Sequence, residues 1–253
     1  MTYGSTAKNI NLLTLTITIF ATLGLFNVEM FTLSNIVMTL ASFYILNILG
    51  IWMTLHRYYS HKSFEFRYAF LKHIFTTIAV LAGRGSPLGW VYLHRQHHAH
   101  SDKDKDPHSP KYVGYKLFGF EHYKKQEDHK MQVFLVKDMM SKTQLFIHKW
   151  YIFIIAALIL FLASISIELL YFGWILPALL IQFSQSNFNY FGHTYGYRNF
   201  ETTDNSRNNK WLFPFILGEA WHNNHHANPK DCSTQVKVTE YDPLMKLIIL
   251  VKK

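Results

Sequence analysis

Two long stretches without a basic residue constrain this chain more than any other feature of its sequence. Residues 9–56 and 150–197 each run for 48 positions without Lys or Arg, and their only carboxylates are Glu29 and Glu168. A helix that crosses a bilayer needs about 20 predominantly apolar residues. Each stretch is therefore long enough for two such helices and a short turn, and in each stretch the lone acid lies near the turn.

The expected spans are residues 10–28 and 31–55 in the first stretch, and residues 151–170 and 174–191 in the second. A Lys or Asp at the centre of such a helix costs about 2.5–3.5 kcal/mol, which accounts for their absence. A soluble all-α protein with buried helices is the alternative, but a chain of 253 residues is too short to enclose both hairpins. We therefore predict an all-α integral membrane protein with four transmembrane helices, arranged as two hairpins at 9–56 and 150–197.

The basic residues predict the orientation of these helices. All 25 Lys and Arg lie in the N-terminal segment, in residues 57–149 or in residues 198–253. The positive-inside rule places these segments on the cytoplasmic side, where 57–149 and 198–253 form the two parts of a helical cap in a single domain, 1–253. A nucleic-acid partner is not indicated, because the net charge of +9 is spread over both parts and no recognition motif is present.

The N-terminus predicts the membrane in which the protein resides. The segment before the first apolar run is short and has no small-residue cleavage site, so neither a signal peptide nor a transit peptide is expected. This favours a multi-pass protein of a bacterial inner membrane, with the endoplasmic reticulum as the alternative. The single cysteine, Cys232, fits a reducing compartment.

Histidine is the unusual residue type, with 15 copies against 16 acidic residues. Nine of them form four groups: His56 and His61; His94, His97 and His98; His193; and His222, His225 and His226. In an α-helix, positions i, i+3 and i+4 share one face, so each H-x-x-H-H motif can direct three imidazoles at a metal. His56 and His61 lie about 140° apart on a straight α-helix, so we expect them where a span ends and the chain turns. Six others are expected to be surface or capping residues: His73, His100, His108, His122, His129 and His148.

Nine imidazoles exceed the coordination number of one metal ion, so we predict two. Imidazole suits Zn, Cu, Fe and Ni. A hydrolytic zinc site needs only three protein ligands and a water, and a structural zinc site favours Cys. A histidine-rich dinuclear site at a membrane surface therefore points to iron and oxygen chemistry.

The order of these motifs resembles the membrane fatty acid desaturase family, in its Δ9 acyl-CoA or acyl-lipid branch of stearoyl-CoA desaturase-like enzymes. The resemblance covers about residues 45–245 and rests on the motif at 56–61, Trp90 before the second histidine motif, and the segment 218–226. It implies a stem of four helices and a cytoplasmic cap that holds two Fe, with the nine histidines as ligands. It also implies that Asn189 reaches a metal through water and that Trp90 lines the acyl tunnel.

The same resemblance implies an O2-dependent oxidoreductase that introduces a cis double bond, near Δ9, into a saturated acyl chain. The substrate is then a CoA thioester or a membrane lipid, and the uncharged stretch 91–93 looks more like acyl-lipid relatives. No cytochrome b5 module is present. The two electrons are therefore expected from a separate carrier, such as ferredoxin or cytochrome b5 with its reductase.

Other outcomes stay open. The same scaffold could hydroxylate the chain or yield a terminal alkene, and a non-catalytic metal transporter is less favoured because transporters carry ionisable groups within their spans.

The remaining predictions concern residues outside the histidine motifs. Asp102, Asp106 and Glu219 are candidates to orient imidazole N–H groups, or are solvated surface acids. One of the bulky pair Trp52 and Tyr44 is expected to close the acyl tunnel. Residues 67–81 predict an amphipathic helix, on the membrane surface or in the cap core.

Overall fold

The computed structural model describes residues 3–114 and 133–253, and every regular element in these two ranges is a helix. The longer helices are α1 (Tyr3–Gly24), α2 (Leu33–Ser60), α3 (Ala69–Leu81), α4 (Pro87–His100), α5 (Lys142–Ile165), α6 (Ile167–Phe191), α7 (His222–Ala227) and α8 (Pro243–Val251). Short helical turns lie at Val28–Met30, Pro110–Val113 and Val133–Met139, and follow one another over 210–220. The predicted all-α class is confirmed for these ranges.

Small polar residues define where the helices begin. The side chain of Thr32 accepts the backbone N–H of Asn35, and the side chain of Ser86 accepts that of Gly89. Ser141, Ser166 and Asp242 cap α5, α6 and α8 in the same way. Such caps satisfy N–H groups that have no partner in the first turn. The cap at Ser166 also places the turn between α5 and α6 two residues before Glu168, the lone acid that the sequence places near this turn.

Three helices in the described ranges are long and apolar enough to cross a membrane: α2, α5 and α6. Their surfaces suit lipid, since Phe153, Leu160 and Phe161 of α5 are each 62–71 % exposed. Helix α1 corresponds to the first predicted span, but its apolar portion, Ile10–Gly24, is shorter than the usual requirement of about 20 residues. Residues Ile10, Leu13 and Ile17 are buried, and Ala21 accepts a hydrogen bond from Tyr171 of α6 through its carbonyl (2.7 Å).

The second half of α2 is wound more widely than an α-helix. Over Ile45–Ser60 the backbone follows the i→i+5 pattern, and at its end the N–H of His61 donates to the carbonyl of His56 (3.2 Å). Residues five apart therefore lie one above the other, and the two imidazole centroids are 4.8 Å apart. The separation of about 140° assumed α-helical geometry and is wrong here. Such wide turns are frequent at functional sites.

Helices α3 and α4 form a hairpin that packs against the wide half of α2. A Cβ on Gly50 of α2 would lie 3.2 Å from the Cα of Ala79, so the two backbones touch where glycine leaves room. The indole of Trp174 in α6 donates to the carbonyl of Leu81 (2.7 Å). Helix α3 thus packs along a candidate span with one face and exposes the other, as the predicted amphipathic helix over 67–81 requires.

The histidine-bearing ends of α2, α4 and α6 meet helix α7 at one end of the bundle. The C-terminal residues close this region, because the N–H of Lys253 donates to the carbonyl of Glu65 (2.9 Å) and the N–H of Arg67 donates to that of Val251 (2.8 Å). Helix α8 buries Leu244 and Ile248. The loop before it, residues 228–242, is thereby held against the end of α2.

Candidate metal centre

The structure gathers the nine predicted histidines into two groups. The five-histidine group is His56, His61, His94, His98 and His225, and the four-histidine group is His97, His193, His222 and His226. Within each group the candidate ligand atoms lie within 4.8 Å of one another. The rings of His98 and His226, one from each group, stack at a centroid distance of 4.4 Å. The two groups therefore adjoin.

Each H-x-x-H-H motif is divided between the two groups. In α4, His94 and His98 belong to the five-histidine group, and His97 belongs to the other. In α7 the division is reversed, since His225 joins the five-histidine group. In each motif the histidines at positions i and i+4 belong to one group, and the histidine at position i+3 belongs to the other group. The three imidazoles of a motif therefore do not all face one group, and both helices contribute to both groups.

The spacing of the nitrogens fits metal ions. Four pairs of Nε2 atoms from different elements are 2.8–3.2 Å apart: His61 and His94, His56 and His225, His98 and His225, and His193 and His222. Imidazole nitrogens bind first-row metals at about 2.0–2.1 Å, so two ligands at right angles are about 3 Å apart. The Nε2 atom of His226 is buried without a hydrogen-bond partner. The donor set thus fits two transition-metal ions.

Burial favours the neutral, metal-binding form of six of the nine imidazoles. It lowers the pKa well below the ordinary 6.5, aided by neighbouring imidazoles, for His61, His94, His98, His222 and His225. It also lowers the pKa of His226 to about 4, against the opposing effect of a carboxylate. A neutral ring offers the lone pair that coordination requires.

Four carboxylates hold the opposite nitrogens of these rings. The Nδ1-to-oxygen distances are 3.0 Å for His56 and Glu219, 2.9 Å for His97 and Asp106, 3.0 Å for His193 and Asp102, and 2.6 Å for His226 and Asp204. A carboxylate at Nδ1 fixes the tautomer and directs the Nε2 lone pair towards a metal. The predicted acids Asp102, Asp106 and Glu219 all lie at ring nitrogens rather than on a solvated surface.

Asp204 is the member of this set that sequence reasoning missed. It lies 22 residues before His226, in a polar loop, and no spacing rule connects them. Burial alone raises the pKa of Asp204, but the hydrogen bond from His226 outweighs it and holds the pKa below the usual range. Burial likewise raises the pKa of Asp102, but contacts led by the hydrogen bond from His193 outweigh it and lower that pKa to about 2. Both acids are thus charged at neutral pH.

A buried arginine links the first histidine motif to the C-terminal loop. The Nε of Arg57 donates to Glu219 (2.7 Å), and its Nη1 donates to Asp242 (2.8 Å) and to the carbonyl of Cys232. Burial raises the pKa of Glu219, yet the charges of Arg57 and His56 outweigh it and lower the pKa. Since Asp242 also caps α8, the orientation of His56 depends on three separate segments.

Asparagines hold α7 from the side opposite its histidines. The side-chain oxygen of Asn223 accepts the backbone N–H groups of Asn199 and Phe200 (2.8 and 2.9 Å). The amide of Asn224 donates to Glu240 (2.8 Å) and to the carbonyl of Thr234 (2.9 Å). The two asparagines between His222 and His225 are the sequence signal that points to this role.

A cavity lies beside the metal-binding groups, lined by Trp52, Trp90, Leu93, His94, His108, Gln185, Phe188 and Asn189. Trp90 stacks on His94 at 5.0 Å, and Trp52 meets His56 edge-on at 5.6 Å. Its volume is about 20 Å³. Of the predicted tunnel residues, Trp52 and Trp90 reach this cavity, and Asn189 lies in its wall. Tyr44 does not, because it is 41 % exposed and its hydroxyl donates to the carbonyl of Pro214 (2.8 Å).

His108, expected to be a surface or capping residue, lies in the site. It is buried, stacks on His97 at 4.4 Å, and completes a further compact group with His97 and Asp106. The compact groups found in the described ranges do not include His73, His100 or His148. His122 and His129 lie outside the described residues.

Fold and site together describe a helical protein with three candidate membrane helices and two adjoining histidine groups that could hold metal, and comparison with known proteins supplies the family. The fatty acid desaturase family profile matches residues 34–242. Delta-9 acyl-lipid desaturase 2 of Arabidopsis thaliana is 34 % identical over an alignment of 196 residues that covers 73 % of this chain and 61 % of the relative. The sn-1 stearoyl-lipid 9-desaturase of Anabaena variabilis is 32 % identical over 183 residues, covering 71 % and 66 %. The sn-2 palmitoyl-lipid 9-desaturase of Nostoc sp. (strain 36) is 30 % identical over 227 residues, covering 83 % and 76 %.

The chain belongs to the fatty acid desaturase family, because the profile match covers most of its length. In each of these relatives, part of the chain lies outside the matched region. The chain spans about three fifths of the Arabidopsis relative and 66 % of the Anabaena one.

Proposed function

We propose that this protein is a membrane di-iron acyl-lipid desaturase that introduces a cis double bond at the Δ9 position of a saturated acyl chain. The observation that carries the proposal is the division of nine imidazoles into two adjoining groups, beside a cavity walled by Trp52 and Trp90. The curated relatives act on acyl lipids according to their names. No contact in the described residues favours a hydroxylase, an alkene-forming enzyme or a transporter.

The metal ligands are proposed residue by residue. His56, His61, His94, His98 and His225 would hold one iron, and His97, His193, His222 and His226 would hold the other. Asn189, in the wall of the adjoining cavity, would reach a metal through water. When bound, the iron pair supplies the oxidising power, drawn from O2, that removal of hydrogen from an unactivated methylene requires. The carboxylates Asp102, Asp106, Asp204 and Glu219 keep the ligand rings in one tautomer and orientation.

The cavity residues position the acyl chain and exclude water. Trp90 and Trp52 present their rings next to His94 and His56, so a methylene between the indoles lies beside the ligand groups. Phe188 lines the same cavity and packs against Trp52 at a centroid distance of 4.7 Å, so it adds to the apolar wall. Residues 91–93 are buried inside α4. Their lack of charge thus reflects packing, and the preference for acyl lipid rests on the relatives.

The topology completes the proposal. Helices α1, α2, α5 and α6 form four spans, with both termini and the metal centre on the cytoplasmic side of a bacterial inner membrane. The absence of Lys and Arg from the two turns between spans supports this orientation. Two electrons arrive on that side from a separate carrier, a ferredoxin or a cytochrome b5 with its reductase.

Expression in a host with few unsaturated fatty acids tests the activity. We expect an O2-dependent Δ9 product by gas chromatography and mass spectrometry, together with two irons per purified chain. His97→Ala should abolish the product, and His73→Ala on the exposed side of α3 should leave it. Hydroxylated acids, terminal alkenes, or a product that persists in His97→Ala would contradict the proposal.

A further inference from the structure

Arg84 is a buried cation at the turn between α3 and α4. Its side chain is 1 % exposed. Its Nε donates to the side-chain oxygen of Gln185 (3.0 Å), and its Nη1 donates to those of Gln182 (2.9 Å) and Thr14 (3.1 Å). The turn is tight, since Gly83 and Gly85 on either side both adopt positive φ. Arg84 therefore joins the α3–α4 hairpin to α1 and α6.

Neighbouring helices show how deep this turn lies. Gln182 is nine residues before Phe191, where α6 ends, and Tyr151, whose hydroxyl accepts the N–H of Gly85, is nine residues after the start of α5. At 1.5 Å per residue, both contacts are about 13 Å from the helix ends that face the metal centre. Because the third predicted span begins at Tyr151, the turn lies at the edge of the proposed membrane region, where α1, α5 and α6 enclose it.

Burial of a cation is expensive unless hydrogen bonds compensate for the loss of water. Residues 82–86 are all buried, and three side-chain oxygens accept from Arg84. The sequence predicted Arg84 in the cytoplasmic segment 57–149 with no sign that protein would enclose it, and the structure supplies that observation.

Gln185 connects this cation to the substrate cavity. Its carboxamide accepts from Arg84, and the same side chain lines the cavity together with Trp52 and Trp90. Gln182, one turn earlier on α6, also accepts from Arg84 but is not part of the cavity lining. A carboxamide in an aromatic wall would otherwise be free to rotate between conformers.

We propose that Arg84 is a positioning residue for the acyl chain: it clamps the carboxamide of Gln185 and so fixes the cavity wall that decides which methylene faces the metal centre. This inference rests on the proposed desaturase function. The clamp acts on the site of the double bond, because the hydrogen bond from Arg84 ends at a carboxamide in the wall of the substrate cavity.

Product analysis of Arg84→Met, Gln185→Leu and the double variant tests the clamp, with iron per chain measured in each. We expect Arg84→Met and Gln185→Leu each to lower the ratio of the main double-bond isomer to displaced isomers at least fivefold, with iron content unchanged. The double variant should show no further change, because both residues act through one contact. Gln182→Leu keeps the clamp and should stay within twofold of wild type, as should Arg67→Met, whose side chain is exposed.

Several results would overturn the inference. These are an unchanged isomer ratio in both single variants, additive shifts in the double variant, or loss of iron from Arg84→Met, which would indicate a structural role only. If the Arg84→Met protein does not accumulate in the host, the test is the isomer ratio of Gln185→Leu against that of Gln182→Leu. Equal isomer ratios in these two variants would refute the clamp. A wild-type protein that makes no double bond instead refutes the proposed function itself.

Discussion

Glu219 and Arg57 form a buried ion pair with an N–O distance of 2.7 Å, and the second carboxylate oxygen of Glu219 lies 3.0 Å from Nδ1 of His56. One carboxylate thus joins a cation to a proposed metal ligand. Since Arg57 also binds Asp242 at 2.8 Å, the orientation of His56 is determined by contacts from residues distant in sequence.

Glu219→Gln should weaken metal binding. An amide has one oxygen where two carboxylate oxygens face Arg57 and His56, and loss of such partners typically costs 10–100-fold in metal affinity. Competition titration with a chromophoric chelator measures the affinity without reliance on catalysis. Glu168→Gln, on an exposed acid at the other end of the bundle, is the matched control and should bind as wild type. Wild-type affinity in Glu219→Gln would show that the carboxylate is dispensable.

Asp204→Asn should act on one metal position only. Asp204 contacts His226 of the four-histidine group at 2.6 Å, the shortest of the four carboxylate–imidazole contacts. We expect about 10–100-fold weaker binding at that group, so that under limiting iron the content falls from two ions per chain towards one. Elemental analysis of purified protein checks this, with the exposed Asp231→Asn as control. Equal loss of both ions would argue against separate groups.

The sequence predicted eight of the nine histidines because their spacing is local, and His193 because it lies just after the end of a predicted span. It predicted Asp102 and Asp106 because they follow the second motif closely, and Glu219 because it precedes the third. Asp204 could not be found in this way, since its contact with His226 depends on how the loop at 200–209 folds back.

The winding of α2, the direction of individual side chains and the burial of Arg84 depend on packing and could not be predicted from the sequence. The wide turns of α2 bring His56 and His61 together, although α-helical periodicity separates them. Tyr44 and Trp52 lie on the same helix, but only Trp52 faces the cavity, because Tyr44 turns to the carbonyl of Pro214. Arg84 belongs to the segment 57–149, whose basic residues predicted only a cytoplasmic position. Its burial depends on how the α3–α4 hairpin packs against the other helices.

Glu240→Ala should destabilise the fold around α7. The buried carboxylate accepts from Tyr197 (2.5 Å), the amides of Asn199 and Asn224, and the N–H groups of Val236 and Lys237. Its removal leaves several donors without an acceptor, at a cost of about 2–3 kcal/mol, which corresponds to a fall in Tm of about 4–12 °C. Thermal unfolding in detergent measures the fall. Glu201→Ala, whose side chain is 95 % exposed, should shift Tm by less than about 1 °C.

Two valines report the orientation in the membrane. Val28, 76 % exposed, lies in the turn between α1 and α2, and Val238, 93 % exposed, lies in the loop before α8. In a Cys232→Ser background, a membrane-impermeant maleimide should label Val238→Cys only in inside-out vesicles and Val28→Cys only in right-side-out vesicles. Labelling of both positions from the same side would refute the proposed four-span arrangement.

Trp52→Ala should widen the chain-length preference, whereas Tyr44→Ala should not. Trp52 packs edge-on against Phe188 at 4.7 Å and lines the cavity, so its truncation opens space where an acyl chain lies. Tyr44 is on the same helix but outside the cavity lining, which makes it the matched control. Gas chromatography of products from mixed-length substrates should show at least a threefold rise in the share of longer products for Trp52→Ala alone. A comparable rise in Tyr44→Ala, or no change in Trp52→Ala, would place the end of the tunnel elsewhere.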